Sequence, residues 1–154
     1  MLSIEIIAIK QTTPVSFEDL PFAVEVNTGL KSNREPSLFQ TDFDSLTGCI
    51  YHLGESSKKE NNAGGFAAND FLSEECINQQ ELKFIEFKKD ILPFIKKIVS
   101  SLIESSPSSS VLFTSEYEVS KNTIQRFENI PVKTFFELHD KKEILFNASY
   151  KVVK

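Results

Sequence analysis

The hydrophobic pattern is clearest between Lys88 and Ser106, KKDILPFIKKIVSSLIESS. Ile91, Leu92, Ile95, Ile98, Val99, Leu102 and Ile103 recur at spacings of three and four, which places them on one face of a helix. Lys96, Lys97, Ser100, Ser101 and Glu104 fall mostly on the other face. Asp90 is placed to cap the first turn, where its carboxylate would accept from free backbone N–H groups. Pro93 then sits inside that turn, where its missing N–H costs little. Serines 105, 106 and 108 to 110, together with Pro107, end the helix. The apolar stripe is short and broken by charge, so it suits packing on a sheet in the core rather than crossing a membrane.

Period-two patterns lie on either side. In residues 2–10, Ile4, Ile6 and Ala8 share one face and Ile7 and Ile9 the other, so this strand is expected to be partly covered on both sides. A turn follows at Gln11 to Pro14. Ser16 is placed to cap a short helical turn ended by Pro21, and Phe22 to Val26 reads as a second strand. Leu46 to Leu53 reads as a third. It sets Leu46, Gly48, Ile50 and His52 against Thr47, Cys49, Tyr51 and Leu53, and Gly48 marks a bulge or a close approach.

Gly54 to Gly65, GESSKKENNAGG, is the most polar tract and reads as an exposed loop. In FAANDFLSEE that follows, Phe66, Phe71 and Leu72 are the inward candidates and Asp70, Glu74 and Glu75 the exposed ones. Leu82 to Phe87 suits a strand leading into the helix, with a helical extension kinked at Pro93 as the other reading. Val111 to Tyr117 is a strand by composition. Val119 to Asn129 is polar, with Ile124 and Phe127 at helical spacing, and fits a short helix or a loop. Pro131 to Lys141 suits a helix opened by Pro131 better than a strand. Glu143 to Val153 closes the chain as a strand with Ile144, Phe146, Ala148, Tyr150 and Val152 on one face. The fold class expected is α+β. A single domain spanning residues 1–154 would carry a mainly antiparallel sheet against an amphipathic helix at about 90–105.

Composition narrows this further. A chain of 154 residues with 40% hydrophobic and 25% charged residues has enough apolar material for a core. Fourteen Phe and no Trp mean that Phe supplies much of the core volume. The opening LSIEIIAIK has no basic stretch and too short an apolar run for a signal peptide, so a cytoplasmic location is expected. In that setting Cys49 and Cys76 are expected as buried free thiols. Charge is uneven. Residues 1–81 carry five basic and thirteen acidic residues, a balance of −8; residues 82–154 carry twelve and nine, a balance of +3. An acidic half repels phosphates, which argues against nucleic acid and suits a basic protein partner.

Candidate chemistry is sparse. No GxxxxGK[ST], GxGxxG or GxSxG motif occurs. Cys49 and His52 are three apart and point to opposite faces of a strand. Only a turn there would let them share a zinc ion, with Cys76 or His139 completing the site. A cysteine nucleophile with His139 as base, oriented by Asp140, is a second formal arrangement. Glu74 and Glu75 are adjacent and diverge, which is poor geometry for shared acid–base work. Asn147-Ala148-Ser149 matches a glycosylation acceptor but reads as strand sequence. Neither an enzymatic role nor a cofactor is expected.

From Ile91 to Tyr117 the chain joins a Pro-containing helix, a serine–proline stop and a short LFTSEY strand, and FFELHDKKEILFNASYKV follows. Over this C-terminal half the combination resembles small bacterial immunity proteins, including those of contact-dependent growth inhibition systems. The resemblance implies a cytoplasmic inhibitor that binds a cognate toxin domain and blocks its active site. Many such toxins are nucleases, whose basic clefts suit an acidic partner. The resemblance thus assigns the inhibitory face to the acidic half: Asp42, Asp44, Glu55, Asp70, Glu74 and Glu75, with Phe43 and Phe71 as apolar anchors. The competing readings are a small cysteine/histidine enzyme and a regulatory or scaffold domain of a larger assembly.

Overall fold

Ile4, Ile6 and Ala8 do face one way and Ile7 and Ile9 the other, and this alternation sets the architecture. A computed structural model describes residues 2–27, 48–54, 71–78, 83–117 and 125–154. In it β1 (Leu2–Ile9) pairs antiparallel with β3 (Gly48–Leu53) on one side and β5 (Ser110–Tyr117) on the other. β2 (Val24–Asn27) extends the sheet beyond β3. β8 (Ala148–Val153) follows β5, and β6 (Gln125–Pro131) lies outside it, giving the order β2-β3-β1-β5-β8-β6. The pairings are antiparallel except β6 with β8, which run parallel. The chain is thus α+β with a mostly antiparallel sheet, as its pattern predicts.

The central helix is α2 (Leu92–Ser105). Its buried residues are Ile95, Ile98, Val99, Leu102 and Ile103, and they join Ile4, Ile6, Ala8, Val111 and Phe113 in the main core. Each fully buried aliphatic side chain of this kind contributes about 1.5–3 kcal/mol relative to exposure, so this face outweighs any propensity term. α3 (Val132–Asp140) presents Phe135 and His139 to the same core. A two-stranded sheet of β4 (Phe84–Ile85) and β7 (Ile144–Leu145) lies apart from the large one. α1 (Glu74–Ile77) is a single turn capped by the Ser73 hydroxyl, which accepts from the Cys76 N–H at 3.1 Å.

A polar network fastens the end of α2 to the end of β1. Gln11 Nε2 donates to Ser105 Oγ at 2.7 Å, and Ser105 Oγ donates to the Leu102 carbonyl at 3.2 Å. The hydroxyls of Ser106 and Ser108 both donate to the Ile9 carbonyl. The serine-rich stop thus also satisfies buried backbone acceptors that would otherwise be costly.

Four local expectations are corrected. Asp90 does not cap α2. The Lys88 carbonyl accepts from the Ile91 and Leu92 N–H groups, Ile91 occupies the cap position without a side-chain bond, and Pro93 lies in the first turn as expected. Burial of Ile91 draws the helix start past the aspartate. Residues 16–19 make no helical turn, because Val15 and Phe17 alternate inward against the core. Of the stretch Val119 to Asn129, residues 119–124 lie outside the described residues, and from Gln125 onward the chain forms strand β6 rather than a helix or loop. The three-residue spacing of its inward Phe127 and Ile130 reflects a register shift between them, with Asn129 at φ 56°. Glu143 to Val153 is two strands, because Asn147 adopts φ 54° and sends β7 and β8 to different sheets. Residues 84–85 are a strand, and 132–140 a helix, as preferred.

Candidate functional site

The candidates drawn from the acidic half divide sharply. Asp42, Phe43, Asp44, Glu55 and Asp70 lie outside the described residues, as does the polar stretch 55–65. Phe71 is only 2% exposed and packs on Phe22, ring centroids 4.9 Å apart, so its ring belongs to the core of this chain. Leu72 is buried beside it. A surface anchor must be accessible, and Phe71 is not.

Glu74 and Glu75 are exposed in the first turn of α1. Ser73 places them there by capping the turn, so the backbone needs neither carboxylate as its cap. Ile77, on the same turn, is 36% exposed, and Val26 on β2 is 40% exposed; both are large apolar side chains left at the surface. Lys142 reaches toward this region. Its Nζ lies 2.8 Å from Glu86 Oε1, and the Glu86 carboxylate, by hydrogen bond and charge, raises its pKa, with Glu75 adding to the same effect. Glu75 and the partly buried Glu86 thus both act electrostatically on the exposed Lys142.

The thiols are poorly placed for catalysis. Cys49 faces the core and its Sγ donates to the Gln11 carbonyl at 3.5 Å. Cys76 Sγ donates to the Phe84 carbonyl at 3.4 Å. Burial pushes both thiols up from their ordinary value, which opposes thiolate formation. His52 lies on the opposite sheet face from Cys49, paired across the strands with Glu5.

His139 is held in an aromatic enclosure. Its ring centroid lies 4.7 Å from that of Phe135, 5.5 Å from Phe87 and 5.7 Å from Phe113. Its Nε2 is buried and meets no hydrogen-bond partner among the described residues. Burial lowers its pKa to about 3, the Lys96 ammonium adds to this, and Asp140 opposes it. A base with that pKa is neutral near pH 7 and accepts protons poorly, so it does not fit the role of general base.

A feature absent from the sequence reading crosses the sheet on the face opposite α2. Register places Glu25, His52, Glu5, Thr114, Ser149 and Arg126 side by side across all six strands. Glu5 is 7% exposed, and His52 Nδ1 lies 3.6 Å from its Oε1. Thr114 Oγ1 donates to Ser149 Oγ at 3.4 Å. The adjoining part of the same face is aliphatic, with Ile7, Ile9, Ile50 and Leu112. Alternation identifies these residues strand by strand, but only the register lines them up. Among the described residues no three His, Cys, Asp or Glu side chains converge as a metal site. No helix among them is long and apolar enough to cross a membrane.

Comparison with known proteins returns nothing: no protein family, no curated protein and no solved structure matches this chain.

Proposed function

We propose that this chain is a bacterial immunity protein, acting in the cytoplasm as a non-catalytic inhibitor that binds a cognate toxin domain and blocks its active site. The partner it suits is a basic domain, such as a nuclease with a phosphate-binding cleft. The observation that carries the reading is the acidic bias of residues 1–81, a balance of −8, together with the exposure of Glu74 and Glu75 beside the apolar Ile77. Opposite charge would steer encounter, and apolar contacts would hold the complex. The candidate enzyme groups lend no weight to a catalytic alternative. Both thiols are buried with raised pKa, and the imidazole of His139 is enclosed by phenylalanines.

The test is co-expression with the toxin domain encoded directly upstream, followed by pull-down and a survival assay. The reading expects a stable complex and protected cells. A soluble, folded chain that neither binds that domain nor protects against it would refute the proposal.

A further inference from the structure

α3 joins the core through two fully buried side chains, Phe135 and His139, while Val132, Phe136 and Leu138 pack against it only partly buried. Its other ties are exposed or partly exposed. Lys96 Nζ on α2 lies 2.6 Å from Asp140 Oδ1 and 5.7 Å from the Phe136 ring centroid. The turn after the helix is pinned by Lys142 to Glu86. The helix has nine residues and no side-chain cap at its N-terminus. Non-glycine residues with positive φ lie at both approaches, Asn129 at 56° and Lys142 at 58°. A short element with few buried contacts, no N-terminal side-chain cap and a backbone irregularity at each end is suited to open as a local unit.

We propose that α3 is a proton-linked latch: it opens locally from the sheet, and uptake of one proton by the freed His139 holds it open. The enclosure explains the linkage. Docked, the imidazole faces Phe87 after β4, Phe113 on β5 and Phe135 on its own helix. The Lys96 ammonium from α2 disfavours a second positive charge there, and Asp140 only partly offsets it. Glu86 and Lys142 neutralise each other at the edge of the helix. A buried imidazolium enclosed by three phenylalanines would be desolvated, with no anion bonded to its Nε2. Undocked, the same ring reaches solvent and titrates normally. Opening would bare Phe113 and Tyr150, on which the helix's own Phe135 packs.

Native-state hydrogen exchange of the full chain tests this, corrected for intrinsic rates and followed from pH 7 to pH 5 at several low denaturant concentrations. The amides of α3 are expected to exchange through an opening with little denaturant dependence and lower protection than those of α2 and β1. The α3 opening constant should rise about 25-fold from pH 7 to pH 5, as expected for a histidine that is free only when open. That rise should persist in His52→Gln and Asp140→Asn, and disappear in His139→Met. The proposal is overturned if α3 and α2 share one protection and one denaturant slope, since α3 would then open only with the whole protein. It is equally overturned if the local opening is independent of pH, or if its pH dependence follows His52 or Asp140. The comparison of α3 with α2 in the unaltered chain decides the matter even where His139→Met does not fold.

Discussion

The Tyr51 hydroxyl donates to Gln11 Oε1 at 2.5 Å, although the two residues lie on different segments and Tyr51 is fully buried. The same hydroxyl accepts from the Val15 N–H at 2.8 Å. Through Gln11 it is connected to Ser105 at the end of α2. One phenol thus joins β3, the segment after β1 and the central helix. Its burial raises its pKa, which keeps it a neutral donor.

Tyr51→Phe should therefore cost about 1–3 kcal/mol, because it leaves a buried amide oxygen and a backbone N–H unpaired. Denaturant unfolding with an unchanged slope measures this. A double-mutant cycle with Gln11→Met should show coupling of at least about 0.5 kcal/mol. Additive losses would mean that the bond contributes nothing to stability.

Gly48→Ala should destabilise by at least about 2 kcal/mol. A Cβ there would stand 2.1 Å from the Ala8 carbonyl oxygen, and the backbone φ of +150° is one that residues with a side chain rarely adopt. The clash is with backbone of the neighbouring strand, so no side-chain rotation relieves it. Thermal melting gives the size, and amide protection should fall first along the β1–β3 pairing. A variant as stable as the parent would show that the two strands separate at this point without cost.

Cys49 and Cys76 are both free, buried and shifted upward by burial. Ellman's reagent should react with neither at neutral pH in the native chain and with both in denaturant. Fast reaction of either thiol in the native state would contradict that burial and revive a thiol-based activity.

His139 sets a pH dependence whose sign is fixed. Its pKa is about 3 folded, against an ordinary value of 6.5, so the unfolded state binds the extra proton between these values. Its neutral form supports full stability above the unfolded value, and that contribution is lost as pH falls toward 3. Over this window stability should fall by up to about 1.4 kcal/mol per pH unit from this group alone. His139→Met should flatten the dependence. It should also stabilise the fold near neutral pH by about 1–3 kcal/mol, because the buried unpaired Nε2 is removed. Chemical denaturation between pH 7 and pH 5 gives both numbers.

If the chain binds a basic toxin domain, Glu74→Lys combined with Glu75→Lys should slow association roughly tenfold or more at low salt, with a smaller effect on dissociation. Ile77→Ala should act mainly on dissociation, since an exposed apolar side chain contributes only once it is covered. Rapid-mixing kinetics at two ionic strengths separates the two effects. Unchanged association in the double variant would remove α1 from the binding face.

The elements most legible in the sequence were those with strong local periodicity. The α2 stripe and the two faces of β1 follow from apolar spacing, because packing rewards the same face the pattern marks; the strand after α2 follows from its β-rich composition, and the helix at Val132 from the proline that opens it, its spacing alone suiting a strand equally. Cys49 and Cys76 are buried and free, as expected. Asp90, by contrast, looked like a cap by residue type alone, and the burial of Ile91 moved the boundary. The helical spacing of Ile124 and Phe127 does not decide the local structure, because Phe127 belongs to a strand paired with β8.

Local pattern determined which residues face inward; tertiary pairing decided what they meet. No periodicity places β6 parallel to β8, splits Glu143 to Val153 between two sheets, or sets Glu5 between His52 and Thr114. Those relations depend on register between segments tens of residues apart, and a shift of one residue would reverse every face. His139 makes the same point for a single side chain. The sequence shows a polar residue on a helix, and only the convergence of Phe87, Phe113 and Phe135 turns it into a neutral, buried and acid-sensitive one.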